Sequence, residues 1–321
     1  MSVLVFAENW DGKFKKLSFE LLSYASRTAE MMNLPLVTLS LGKVAESELR
    51  KLGDYGAKRI LSLDNDSFST LDNRLYASVI SEAAQREKAV LLIMANTNTG
   101  KAIAPRVAVK LKAGLASGVS KLPVNIDPFT VYKKTYSGNA FAHMIIKSEV
   151  RVLTLAQNSF DLISTENNAT IEAGDINPDS SLISTNVKDR IRHSGKMLLT
   201  DADIVVSGGR GMKSPDNWAP LIELADALGA ATACSRPVSD EGWRPHEEHT
   251  GQTGKIISPN LYIAVGISGA TQHLAGVSAS KYIVAINTDK DAPIFEASQY
   301  GIVGDAMKIL PALAAALKEK Q

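Results

Sequence analysis

The chain has 321 residues, 45% of them apolar and 21% charged, which is enough apolar material for about two domain cores. Its 35 basic and 34 acidic residues leave a net charge of +1, so the strongly basic face that nucleic acid binding requires is not expected. Cys234 is the single cysteine, which excludes an intrachain disulfide and a cysteine-based zinc site and fits a reducing, cytoplasmic compartment. No apolar run approaches the ~18 residues of a membrane span. Residues 3–7 are too short for a signal-peptide core and have no basic residues before them.

In the first half, short apolar runs alternate with helical periodicity. Residues 3–7, 36–41, 59–63 and 89–94 read as buried strands. Between them Leu17, Leu21, Tyr24 and Thr28 recur at helical spacing, as do Leu71, Leu75, Val79 and Ala83, and then Ile103, Val107 and Leu111. Such alternation predicts a parallel sheet covered on both faces. Segments 129–136 and 140–147 flank Ser137-Gly138-Asn139, a hairpin signal, and 151–156 reads as one more strand. This half is therefore expected to end in antiparallel additions. Residues 158–194 are rich in Ser, Asn, Asp and Thr and read as a strand or two followed by a linker. The expected domains are 1–190 and 191–321, with the hinge near 188–196.

The second half repeats the α/β logic. A strand at 204–207 runs into Gly208-Gly209-Arg210-Gly211. Trp218, Leu221, Ile222, Ala225 and Leu228 then mark one helix face, and Gly229 stops it. Pro220 must lie in the first turn, which makes Asp216 or Asn217 the expected cap. Strands follow at 261–265 and 282–286, and a helix bearing Ile309, Leu310, Leu313 and Leu317 closes the chain. From residue 196 on the net charge is −3, against +4 before it, and 12 of the 22 glycines lie there. Glycine permits close backbone approach to a ligand, so the ligand is expected in this half.

Three loops carry that expectation. The glycine turn at 208–211 sits where open α/β sheets bind ligands, and Arg210 adds a charge for phosphate. Its spacing is not that of the dinucleotide motif G-x-G-x-x-G. Thr250-Gly251-Gln252-Thr253-Gly254-Lys255 frames polar side chains between two glycines, and His249 stands where a phosphate loop needs its first glycine. Residues 266–273 follow a strand, so that Ser268 and Gly269 would open the helix carrying Gln272 and His273. His246-Glu247-Glu248-His249 is not H-E-x-x-H, and a solvated polar stretch is preferred over a metal site. Asn96-Thr97-Asn98-Thr99-Gly100-Lys101 lacks a first glycine and reads as a helix start, and Cys234 reads as a small buried apolar residue. No nucleophile–base–acid arrangement stands out by spacing.

Residues 261–276 (LYIAVGISGATQHLAG) and 283–287 (IVAIN) resemble the signature of the electron transfer flavoprotein alpha subunit. Residues 207–211, 234–236, 251–255, 292–295 and 300–305 match it in the same order. The match is dense from about residue 204 onward and weaker before it, where Gly100-Lys101 and Pro105-Arg106-Val107-Ala108 fit. Thr271 departs from the usual Ile or Val, and Arg236-Pro237-Val238 from the common Arg-Ala-Ala.

The resemblance implies a Rossmann-like second domain that carries FAD, and an N-terminal domain that docks a beta subunit to make a heterodimer. It implies an electron carrier without bond chemistry of its own. Donors would be acyl-CoA dehydrogenases of fatty acid beta-oxidation or similar flavoenzymes, and a membrane quinone oxidoreductase would be the acceptor. The residues carried over as FAD contacts are Arg210, Ser235, Arg236, Gly251, Gln252, Thr253, Ser268, Gly269, Ala270, Thr271, Gln272, His273, Asn287 and Asp305. Among them Ser268 and Gly269 amides would suit the pyrophosphate, Asn287 and Asp305 the adenosine end, and Thr253 the flavin N5. Arg236 and His273 would place positive charge where the reduced flavin collects negative charge. An electron-bifurcating relative using NADH and a second FAD in the beta subunit is the alternative. Thr253 leans toward the ordinary carrier, because Ser is frequent there in bifurcating members. An NAD-dependent dehydrogenase and a ligand-free scaffold are the remaining classes.

Overall fold

The computed structural model describes residues 1–138, 140–166, 168–189 and 197–319. The chain divides into two compact units, Met1–Thr135 with Ala140–Arg190, and Tyr136–Asn139 with Ile191–Gln321. The expected linker at 188–196 lies outside the described residues from 190 on.

The first unit comprises β1 (Ser2–Phe6), β2 (Asn9–Trp10), β3 (Lys13–Phe14), α1 (Lys16–Met32), β4 (Leu36–Leu41), α2 (Glu46–Gly53), β5 (Arg59–Leu63), α3 (Asn73–Arg86), β6 (Ala89–Ala95) and α4 (Asn98–Leu111). It continues with β7 (Gly114–Val119), β8 (Asn125–Ile126), β9 (Phe129–Thr135), β10 (Ala140–Ile145), β11 (Arg151–Leu155) and β12 (Thr170–Ala173). The main sheet runs β10-β9-β7-β11-β6-β1-β4-β5-β12, with β8 paired to β9. Successive strand side chains point to opposite faces, so a strand covered on both sides must be apolar throughout. Val3, Val5, Leu91, Ile93 and Leu153 accordingly face Leu21, Leu22 and Leu52 on one side. Leu4, Leu92, Met94 and Val152 face Leu75, Ile80 and Val107 on the other. Each such side chain contributes roughly 1.5–3 kcal/mol by leaving water.

In the main sheet, the antiparallel pairings among the described residues are those of β9 with β7, β8 and β10. The strand expected at 151–156 takes part in none of them. It lies as β11 in the middle of the sheet, parallel to both β6 and β7, because Val152, Leu153 and Leu155 are apolar enough to be covered on both faces. The hairpin turn falls between β9 and β10, with Asn139 outside the described residues. Leu71 lies outside α3 and is exposed; the helix starts at Asn73 because Asp72 caps it, accepting from the Arg74 and Leu75 amides at 2.9 and 3.2 Å. Thr97 likewise caps α4, as the helix-start reading expects: its oxygen accepts from Gly100 N at 3.0 Å. Its hydroxyl donates to Glu8 Oε2 at 2.7 Å across the ends of β1 and β6, so the chain itself uses these polar groups.

The tail of this unit is pinned at separate points. The buried Glu20 carboxylate accepts from the amides of Asn158, Ser159 and Phe160 at 3.0, 2.7 and 2.9 Å. Thr165 N donates to Asp54 O at 2.8 Å. β12 pairs with β5. The second oxygen of Asp72 then accepts from the amides and hydroxyls of both Ser184 and Thr185, at 2.9–3.1 Å.

The second unit comprises β13 (Ile204–Gly208), α5 (Ala219–Leu228), β14 (Ala231–Cys234), α6 (Arg236–Asp240), β15 (Leu261–Val265), α7 (Thr271–Val277), β16 (Tyr282–Asn287), β17 (Tyr300–Val303) and α8 (Ala306–Lys318). Its sheet runs β14-β13-β15-β16-β17, parallel throughout, which is a doubly wound α/β arrangement. Tyr262, Ala264 and Ile283 pack with Val277 and Ile294 on one face, and Val206, Ile263 and Val265 with Trp218, Leu221 and Leu310 on the other. The expected cap of α5 moves. Ser214 caps a single tight turn at Pro215–Trp218, accepting from Asp216 N at 3.2 Å, and α5 follows with Pro220 in its first turn. Pro215 starts that turn because its φ is already set and its missing N–H costs nothing there. Among the described residues, no helix is long and apolar enough to cross a membrane.

Candidate functional site

The strand order of the second unit fixes where a ligand can enter. From β13 the chain moves outward to β14, then returns past β13 to place β15 on the other side. The loops after β13 and β15 therefore diverge, which opens a crevice at the carboxyl ends of the strands. A cleft of about 540 Å³ lies there. Arg210 enters it from the β13 end, Ser235 and Arg236 from the β14 end, and 266–268 with Ala270 from the β15 end. Asn287, Asp289, Ala292 and Pro293 come from the β16 end, and His249–Thr253 from the long β14–β15 connection.

Backbone, not side chains, forms the floor. Gly211 N donates to Gly266 O at 2.9 Å, and Gly209 N to Val265 O at 2.8 Å. Gly266 has φ +60°, and a Cβ there would stand 2.8 Å from Gly211 Cα. The two strand-end loops touch only because neither carries a side chain. On one wall Gln252 N donates to Gln272 O at 2.7 Å, laying the glycine loop along α7.

Eleven of the fourteen expected residues line the cleft; Gly269, Thr271 and Asp305 do not. Gly269, with φ +86°, is pressed against the Ile294 backbone and shapes the turn. Thr271 begins α7 and is exposed, and Asp305 caps α8, accepting from Met307 N at 3.0 Å. The helix expected to open at Ser268 and Gly269 opens later, with Ala270 at its cap. The Ser268 carbonyl instead accepts from Ile294 N at 3.0 Å. Asn287 joins the ends of β15 and β16, donating to Ile267 O at 3.0 Å, and holds its own turn by accepting from Asp289 N at 3.1 Å.

The charges in the cleft differ from expectation at one position. His273 is buried, and burial, aided by His249, pushes its pKa down to about 4. It is therefore a neutral imidazole near neutral pH and supplies no positive charge. Its Nε2 lies 2.8 Å from the Tyr262 hydroxyl, and its Nδ1 is buried without a partner. Arg236 is 64% exposed along its side chain, and its Nε donates to Asp240 Oδ2 at 3.2 Å. The fixed cations at the cleft are Arg210 and Arg236.

The solvated stretch expected at His246–His249 is solvated only in its first two residues. Glu248 is buried because Arg244 meets it with two hydrogen bonds of 2.7 Å. His249 is buried because the chain returns alongside β14, with Thr250 N donating to Cys234 O at 3.0 Å. His249 thus joins the cleft, a residue that sequence reasoning set aside. Among the described residues, no group of three or more His, Cys, Asp or Glu is placed to hold a metal ion. Cys234 is fully buried, and that burial pushes its thiol up to about 12, so it behaves as a small apolar residue.

Residues 198–278, which hold most of this cleft, match the electron transfer flavoprotein FAD-binding domain, and residues 3–179 match the electron transfer flavoprotein domain. The chain is 36% identical over 316 residues to the electron transfer flavoprotein subunit alpha of Syntrophomonas wolfei subsp. wolfei, covering 98% of each chain. It is 36% identical to the subunit of that name from Pseudomonas aeruginosa, over 98% of this chain and 99% of the relative. A probable mitochondrial alpha subunit from Caenorhabditis elegans is 35% identical, over 98% and 93%.

Proposed function

The chain belongs to the electron transfer flavoprotein alpha-subunit family, and from that premise we propose that it is an electron carrier holding one FAD in the cleft of its second unit. The observation that carries this reading is the cleft itself. It lies at the switch point of a parallel sheet, has a side-chain-free floor at Gly211 and Gly266, and gathers eleven residues of the family signature. The donor set suits the cofactor. Arg210 and Arg236 are cations for a dianionic pyrophosphate and a reduced ring. Gln252, Thr253, Ser268 and Gln272 offer neutral hydrogen-bonding groups. The unpartnered Nδ1 of His273 is a buried polar atom that a flavin carbonyl would satisfy. When bound, FAD supplies one- and two-electron exchange; the chain's residues bind it, orient it and set the local field.

The working unit in this reading is a cytoplasmic heterodimer with an electron transfer flavoprotein beta subunit. It takes electrons from acyl-CoA dehydrogenases or similar flavoenzymes and delivers them to a quinone oxidoreductase. The test is co-expression with the beta subunit, followed by sedimentation and a count of flavin per heterodimer. One FAD per alpha–beta pair is expected. Colourless protein, or an alpha chain that stays apart from beta at micromolar concentration, overturns the reading, and two flavins would replace it with the bifurcating one.

A further inference from the structure

Tyr262 does not line the cleft, but it is hydrogen-bonded to a residue that does. Tyr262, the second residue of β15, is fully buried, and its hydroxyl oxygen is 2.8 Å from His273 Nε2. The rings lie 6.1 Å apart at 44°. Both residues belong to one strand–turn–helix unit, so local packing sets their distance.

The direction of this bond follows from proton bookkeeping. Burial raises the Tyr262 pKa above its ordinary value, so the phenol keeps its proton. A phenolic proton in a dry site needs an acceptor. The hydroxyls of Ser207 and Thr250 also approach the phenol and work against the effect of burial. His273 Nε2 is the acceptor within reach. A phenol is a stronger acid than a neutral imidazole N–H, and an imidazole nitrogen is a stronger base than a phenolic or alcoholic oxygen, so the favoured bond runs from the phenol to Nε2. His273 is neutral, so once Nε2 accepts, the ring's one proton sits on Nδ1. The Thr250 backbone favours a proton on the ring, and Nδ1 has no hydrogen-bond partner among the described residues.

We infer that Tyr262 is a positioning residue: by donating to Nε2 it holds His273 as the neutral Nδ1–H tautomer, so that the cleft presents a fixed uncharged donor to a cofactor carbonyl. The identity of the acceptor rests on the flavin reading above; the tautomer does not. In this arrangement His273 contributes a hydrogen bond, while the fixed positive charge comes from the arginines. The titratable neighbours of the pair are His249 on the loop side and Cys234 at the end of β14.

The test is histidine nitrogen NMR on the full alpha chain co-purified with its beta subunit, with isotope-labelled histidine and His273 assigned by His273→Gln. The expected spectrum has a protonated Nδ1 and a bare Nε2, unchanged between about pH 5 and 8. A protonated Nε2, or titration inside that window, overturns the inference in the wild-type protein, whether or not any variant folds. In Tyr262→Phe the ring is expected to lose its fixed form, either moving its proton to Nε2 or titrating within the window. An unchanged His273 spectrum in that variant would show that Tyr262 does not set the tautomer. The FAD dissociation constant of Tyr262→Phe should rise about 3–10-fold, the size of one neutral hydrogen bond. Wild-type protein that binds no flavin would sink the reading of the cleft, while the tautomer would still decide the role of Tyr262.

Discussion

Gly276 of α7 lies against Gly251 of the cleft loop, so closely that a Cβ on Gly276 would overlap the Gly251 backbone. Gly251 itself has φ +148°, a conformation that other residues rarely adopt. The loop that carries Gln252 and Thr253 therefore reaches its place only because two glycines meet.

Gly276→Ala should separate the loop from the helix while leaving the sheet intact. The expected result is FAD binding weakened by at least about 10-fold, equivalent to ~1.4 kcal/mol, with near-wild-type far-ultraviolet circular dichroism. Unchanged affinity in the folded variant would mean that the loop does not bear on the cofactor.

Arg236 supplies fixed charge at the cleft edge, but much of its side chain is solvated and it is paired with Asp240. Exposed ion pairs are worth about 0.2–1 kcal/mol, which corresponds to roughly 10–40 mV for one electron. Arg236→Ala should lower the flavin reduction potential within that range, and Asp240→Asn should move it the opposite way. Spectroelectrochemical titration of both variants checks the pair of signs; equal potentials in all three proteins would remove Arg236 from the tuning of the cofactor.

Asp72 links acid sensitivity to the tail of the first unit. Burial alone would raise its carboxyl. The hydrogen bonds from Ser184, Leu75, Arg74 and Thr185 outweigh it and hold the group well below the usual carboxylate range. A depressed folded pKa contributes stability above the unfolded value of about 3.9, and that stability is lost as pH falls through the folded value. Asp72→Asn should cost about 1–3 kcal/mol at neutral pH. The gap from wild type should narrow below about pH 4. Denaturant titrations at several pH values measure this, and a gap that widens on acidification would contradict the assignment.

Leu153→Ala tests the central place of β11. A fully buried leucine in a closely packed core should cost about 2–5 kcal/mol on truncation. A strand at the antiparallel edge, such as β10 with its exposed Phe141, would cost far less. A small loss at Leu153 would therefore argue against β11 lying between β6 and β7.

The strands that sequence reading located best are those whose two faces are both covered. Val3-Leu4-Val5-Phe6 and the run from Ala89 to Ala95 are apolar without interruption, because each side chain has a helix above or below it. β7 was not legible: Gly114, Ser117 and Gly118 dilute its pattern, and its pairing with β11 joins residues far apart in the chain. α2 escaped because it is polar apart from Leu49 and Leu52. In the cleft, glycine turns after strands pointed to Arg210 and Ser268, but Asp305 looks the same in sequence whether it meets a ligand or caps a helix. The burial of His249 depends on where β14 ends, which no local pattern carries.

The pinned tail has a mechanical reading. A pull on the chain beyond Thr185 reaches first the bonds that converge on one Asp72 oxygen, then the buried Ile176 and the Arg86–Asp175 contact, and last the short pairing of β12 with β5. Bonds gathered on a single atom bear force together, whereas strand pairs at an edge can open in succession. Asp72 is thus placed like the strain relief of a cable, where load on the chain beyond Thr185 would meet it before the edge of the sheet.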